Sequence, residues 1–158
     1  MFIRYFLQLK LPFGEVERPL LADPASWLPG MATEAEHQGE RLLVEVGFEL
    51  GDDRRIDREV QIEVGEPVSV PSTTTKLPIT WKAKHGARAF PRLDGDIEIA
   101  ALGAGRTQLS MSARYRPPLG MIGRTLDRAL MHRVAEATVK DFLDRVGERL
   151  ALRSGAPR

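Results

Sequence analysis

Apolar and polar positions alternate over residues 1–11. Ile3, Tyr5, Leu7, Leu9 and Leu11 fall on one side and Arg4, Gln8 and Lys10 on the other, the period of a half-buried strand. Phe2 and Phe6 interrupt the polar side. The alternation stops over residues 13–40, where Gly14, Pro19, Pro24, Pro29, Gly30 and Gly39 cut the chain into pieces such as 15–22 and 24–28. Each piece is too short for a long helix, so one or two short helices are predicted, with Asp23 and Trp27 at their junction.

A period of two returns at Leu42, with Val44, Val46, Phe48 and Leu50 on one side and Glu45 and Glu49 on the other. Gly51, Asp52 and Asp53 supply a turn. Ile56, Val60, Ile62 and Val64 then alternate with Asp57, Glu59, Gln61 and Glu63, which predicts a hairpin with one wet and one dry face. Arg58 is the single charge on the dry side. Three more alternating runs follow: Leu77 to Ala83 through Ile79 and Trp81, Ile97 to Ala101 through Ile99, and Leu109 to Tyr115 through Met111 and Ala113. Five consecutive antiparallel strands are therefore expected after the short helices. Residues 103–106 form the last hairpin turn and His85-Gly86 opens a looser one.

Pro117 and Pro118 suit a helix start, and residues 119–152 contain no proline. Leu119, Ile122, Leu126, Ala129, Leu130, Val134 and Ala137 recur at helical spacing. A later set, Val139, Phe142, Leu143, Val146 and Leu150, is displaced from the first by about half a turn at roughly 100° per residue. One long helix is predicted, its two halves touching different surfaces or joined by a bend.

The resulting order is one strand, a short helical insertion, a run of antiparallel strands and a long terminal helix, an α+β pattern. It resembles the helix-grip fold of the START-like superfamily, also called SRPBCC or polyketide cyclase/dehydrase-like. Residues 20–27, with Asp23 before Trp27, look like the family's early stretch, and residues 114–123 continuing to Asp127 look like its passage from last strand to last helix. The resemblance spans nearly the whole chain. It implies about six strands or more curved around the C-terminal helix, short helices between the first and second strands, and a cavity used across the family for lipids, sterols, polyketides and hormones. A minority of members cyclise or dehydrate their guests, and no acid–base residue of such enzymes aligns onto this chain.

Composition narrows the reading further. The 158 residues, 42% hydrophobic and 28% charged, suit one globular domain, placed at 1–153 with a mobile tail at 154–158. Twenty-three Lys and Arg against 22 Asp and Glu leave a net charge of +1, so no whole-protein field draws in nucleic acid or an anionic membrane. With no cysteine, disulfides and thiolate chemistry are excluded and a reducing cytoplasm fits. The first ten residues lack the uninterrupted apolar core of a signal peptide, and no stretch approaches the ~20 apolar residues needed to cross a bilayer. The pattern leaves a homodimer open.

Candidate site residues come from the inward positions. Phe48, Arg58, Ile62, Ile79, Trp81, Ile99, Met111, Tyr115, Leu126 and Leu130 would line a cavity between sheet and helix. Pockets have that composition, mostly apolar with sparse polar anchors, and so do plain cores. Tyr115 would donate a hydrogen bond to a guest or satisfy itself on backbone; Trp81 would stack on a flat ligand or fill volume. Arg58 would clamp a carboxylate or snorkel to water. His37, His85 and His132 show no metal-ligand spacing, so no cofactor or metal is expected. His132 shares an every-fourth-residue row with Arg128, Glu136 and Lys140, the mark of a solvated helix face. Residues 94–96, Asp-Gly-Asp, read as a turn or a loop at a cavity mouth.

Two function classes follow. The first is a carrier or sensor for an apolar or aromatic molecule. The second is a cyclase- or dehydratase-type enzyme in which Tyr115, Asp96 or His85 moves protons. A protein-binding module built on the exposed Phe2 and Phe6 is the third and weakest.

Overall fold

Cross-strand register assigns each inward side chain to a place in the sheet. The computed structural model describes residues 1–45, 60–83, 92–116 and 128–154. Their elements are β1 (Phe2–Leu9), α1 (Phe13–Leu21), a 3-10 turn (Pro24–Ser26), α2 (Leu28–Glu45), β2 (Val60–Val64), β3 (Val68–Val70), β4 (Thr74–Ala83), β5 (Arg92–Ala101), β6 (Thr107–Arg116) and α3 (Arg128–Arg153). All described pairings are antiparallel, in the order β1-β6-β5-β4-β2, with β3 also on β4. The curved sheet wrapped on a long last helix is the helix-grip α+β architecture that the sequence predicts.

β2 and β3 lie end to end along one edge of β4, and Pro78 marks the break between them. Val64 pairs with Ile79 and Val68 with Lys76, while Gly65 N–H still donates to the Pro78 carbonyl at 2.8 Å. Pro78 has no N–H to continue a ladder, and a strand facing it must end or step aside. A side chain at Gly65 would press within 3.1 Å of the Pro78 ring. At the middle of β5, Gly95 faces Ala113 so closely that a Cβ would collide with the Ser112 carbonyl oxygen. The curve of the sheet passes through this contact, which only glycine permits.

Several expectations are corrected. Residues 42–45, read as the start of a strand, continue α2, and the remainder of that run at 46–50 lies outside the described residues. The segment 13–40 likewise holds the eighteen-residue α2 rather than short pieces alone. Pro29 falls in its first turn, where a missing N–H leaves no helical bond unmade, and Gly39 sits where α2 crosses α3. The expected pairing of 42–50 with 56–64 falls largely outside the described residues; β2 itself pairs with β4.

α3 also departs from its reading. Its buried positions form one continuous stripe: Met131, Val134, Ala135, Thr138, Val139, Phe142, Leu143, Val146 and Leu150. Those steps of three and four residues need no change of surface halfway. Ala129 is exposed, and Leu130 and Ala137 are half-buried beside the stripe. Thr138 hid the continuity because its hydroxyl reads as polar, yet it is buried and donates to the Val134 carbonyl at 2.8 Å. Such a back-bond lets a threonine occupy an apolar helix face. The predicted start at 119 lies outside the described residues.

Candidate functional site: the sheet–helix interior

Ile62 in β2 pairs with Trp81 in β4, Trp81 with Leu93 in β5, and Leu93 with Tyr115 in β6. These four residues form one row across four strands, all facing inward and all buried. Neighbouring strands lie ~4.8 Å apart, so Trp81 and Tyr115 stand about 10 Å from each other with Leu93 between them. The row lies close to the end of the sheet where β2 and β5 begin and β4 and β6 end.

Polar side chains reach this row from Trp81, Glu36 and Tyr115. The Trp81 indole N–H donates to Glu36 Oε1 at 2.6 Å, and both residues are buried, at 0% and 3% exposure. The Trp81 ring meets Phe142 of α3 edge to face, with centroids 5.1 Å apart. Glu36 therefore ties α2 to the sheet, and Phe142 ties α3 to the same ring. Tyr115 is 2% exposed, and its hydroxyl has no hydrogen-bond partner among the described residues. Burial pushes its phenol up to about 12, because the charged form would lose its water. The Tyr115 backbone N–H is satisfied by the Met1 carbonyl at 2.7 Å.

The remaining predicted lining residues fall at different depths. Ile79 is the next inward residue of β4 after Trp81. Met111 shares a row with Leu77, Ile97 and Tyr5, and Ile99 shares one with Thr75, Leu109 and Leu7. At ~3.4 Å per residue, Ile99 lies about 20 Å along the sheet from the Trp81 row, too far for one small guest to touch both. Leu130 borders the α3 stripe, half-buried. Phe48, Arg58 and Leu126 lie outside the described residues, as does His85.

Asp94 and Asp96 are corrected. They belong to β5 rather than a turn, and their parity places them on the outer face, opposite Leu93 and Ile97. Asp94 accepts hydrogen bonds from Thr80 and Arg92, each at 3.2 Å. Neither carboxylate enters the interior. His132 is half-exposed and pairs with Glu136 at 3.0 Å on the solvated side of α3.

Glu36 was missed because the segment holding it reads as broken pieces. A helical reading exposes it: Leu28, Ala32, Ala35 and Gly39 line up at steps of three and four, and Glu36 falls on the same stripe. A carboxylate on an apolar stripe is the sequence signal of a buried polar contact.

A measurable groove, about 520 Å³, lies elsewhere. It runs between the last half of β1 and the end of α3, lined by Leu7, Leu9, Leu11, Gly147, Ala151 and Leu152 with Gln8, Lys10, Asp144 and Glu148 at its rim. Asp144 is already engaged there, accepting from Tyr5 at 3.1 Å and from Lys140 at 2.6 Å. Burial first, then the neighbouring Asp144, raises the Tyr5 phenol above its usual value. Among the described residues no group of His, Asp or Glu is arranged to hold a metal ion, and no helix is long and apolar enough to cross a membrane.

No family model matches the chain, and no curated protein does. Among solved structures it is similar to a conserved protein from Geobacillus kaustophilus, with a TM-score of 0.51, 16% identity and 94% of each chain covered. It is similar also to a protein of Thermus thermophilus, with a TM-score of 0.50, 17% identity, and 96% of this chain and 98% of that one covered. The Zhui aromatase/cyclase of a Streptomyces species matches with a TM-score of 0.39 and 15% identity over 94% of each chain. Identities this low speak to fold alone.

Proposed function

We propose, taking the helix-grip fold of START-like proteins as premise, that the chain holds a hydrophobic or aromatic small molecule between the sheet and α3, as a carrier or sensor. The observation that carries this reading is the Tyr115 hydroxyl, buried and without a partner among the described residues in an interior lined mainly by apolar side chains. Buried polar groups are nearly always hydrogen-bonded, and an exception asks for a group that is absent. Ile62 and Trp81 on the same row supply the apolar and aromatic surface that a guest would share. A cytoplasmic protein of one domain suits this role, and Ile79, Met111 and Leu130 extend the proposed wall.

Native mass spectrometry of the purified protein, followed by organic extraction, tests the reading. A stoichiometric apolar compound is the expected result. A protein that arrives empty and takes up no fatty acid, sterol or aromatic polyketide would overturn it.

A second reading has its own observation. Glu36 is a buried carboxylate against Trp81, and with Tyr115 it gives the interior one group that takes protons and one that donates them, as a cyclase or dehydratase needs. Under this reading Glu36→Gln abolishes turnover of a polyketide-like substrate while the protein still binds it. Unchanged turnover in that variant would remove Glu36 from the chemistry.

A further inference from the structure

The groove between β1 and the end of α3 is the measurable space on this molecule, and it opens to water. Its floor is closed where α3 rests on β1: a side chain at Gly147 would come within 3.2 Å of Leu7 Cδ1 and 3.6 Å of Leu9 Cδ2. An occupant therefore arrives from outside and stays at the surface. Leu7 shares its row with Ile99, about 20 Å along the sheet from the Trp81 row, so this surface is separate from the interior candidate site.

Leu152 stands on the α3 bank of the groove, in the last turn of the helix, and is 62% exposed. A small molecule filling the groove covers only the side of Leu152 that faces it. A second protein surface covers the groove and the leucine together, which removes the whole apolar strip from water.

The two banks carry opposite charges that the chain itself leaves uncommitted. Lys10, just beyond β1, is exposed and has no hydrogen-bond or ion-pair partner among the described residues. Glu148 on α3 is exposed and forms no short ion pair among them; Arg145, the cation it acts on, is bonded to Asp141 at 2.6 Å. The other rim carboxylate, Asp144, is taken by Lys140 and Tyr5. Protruding leucine, receiving groove and both charges thus lie on one patch, and a patch of that kind is complementary to itself about a twofold axis.

We propose that this groove is the contact surface of a homodimer of the chain. Leu152 of each copy enters the groove of the other, and Lys10 of each meets Glu148 of the other at the rim.

Sedimentation equilibrium from low micromolar to millimolar protein tests the proposal, because the wild type should pass from the mass of one chain to that of two. Leu152→Asp should remain a single chain over the same range. Lys10→Glu and Glu148→Lys each set like charges against one another twice per dimer, and each alone should weaken association roughly tenfold or more. An equimolar mixture of these two variants restores both opposite-charge contacts and should associate like the wild type. All three substitutions are at exposed positions, and recovery in the mixture shows by itself that both charge variants are folded. A wild type that stays at the mass of one chain overturns the proposal. So does a Leu152→Asp variant that dimerises as the wild type does, or a mixture no stronger than its components. None of these results touches the binding reading, whose site lies elsewhere.

Discussion

Gly39→Ala is expected to change sign with its neighbour. Gly39 lies inside α2, where alanine is ordinarily favoured by ~1 kcal/mol. Here the added Cβ would collide with Thr138 Oγ1, while Val134 Cγ1 at 3.6 Å and Thr138 Cβ at 3.8 Å are ordinary contacts. The colliding oxygen is pinned by its bond to the Val134 carbonyl. Relief requires either rotating the Thr138 side chain, which gives up a bond worth ~1 kcal/mol, or moving α2 off α3, an overpacking cost of ~1–3 kcal/mol. Gly39→Ala alone should therefore destabilise by about 1–2 kcal/mol net of propensity. In a Thr138→Ala background the oxygen is gone, and the same substitution should stabilise by up to ~1 kcal/mol. Urea unfolding followed by circular dichroism on the four proteins of the cycle measures both values. A coupling near zero, with Gly39→Ala of the same sign in both backgrounds, would refute the close crossing of the two helices.

Two further outcomes follow from features of the sheet. Gly95→Ala should cost several kcal/mol, on the order of 2–4, because its Cβ would meet the Ser112 carbonyl and backbone cannot rotate aside; a melting temperature unchanged from wild type would count against the tight β5–β6 approach. Tyr115 links stability to alkaline pH: its phenol moves from 10.0 to about 12 on folding, so the unfolded chain releases this proton first as pH rises. Its contribution is complete below pH 10 and is lost between pH 10 and about 12, a decline of about 3 kcal/mol at most. Urea midpoints across that window should fall less steeply in Tyr115→Phe, with Tyr5, also raised, supplying part of what remains; identical slopes would deny the burial of the Tyr115 hydroxyl.

The strands were legible wherever one face is dry, because a period of two survives any neighbour. Ile79, Trp81, Ile97, Ile99, Met111 and Tyr115 all face the interior as their alternation predicts. The helices were less so. Residues 42–45 alternate like a strand over too few positions to separate a period of 2 from one of 3.6, and they continue α2. Pro29 and Gly39 read as breakers, yet one sits in a first turn and the other at a helix crossing. The candidate site was half visible: Trp81 and Tyr115 stand out by type and parity, whereas Glu36 becomes conspicuous only once its helix is known.

β1 pairs with β6 from Phe2 against Arg114 to Leu9 against Thr107, which joins stretches of chain roughly a hundred residues apart. Closing so long a loop precedes any reward from the contact, so assembly of this edge belongs to the slow part of the folding reaction. During that wait β1 is an unpaired strand with Phe2 and Phe6, 60% and 57% exposed even in the finished fold, on its outer face. Arg4, Gln8 and Lys10 interleave with them, and charge spaced in this way discourages strand-to-strand association between molecules. The polar residues of β1 thus serve the chain before it is folded more than after, and refolding yield at high protein concentration is where their loss would be felt.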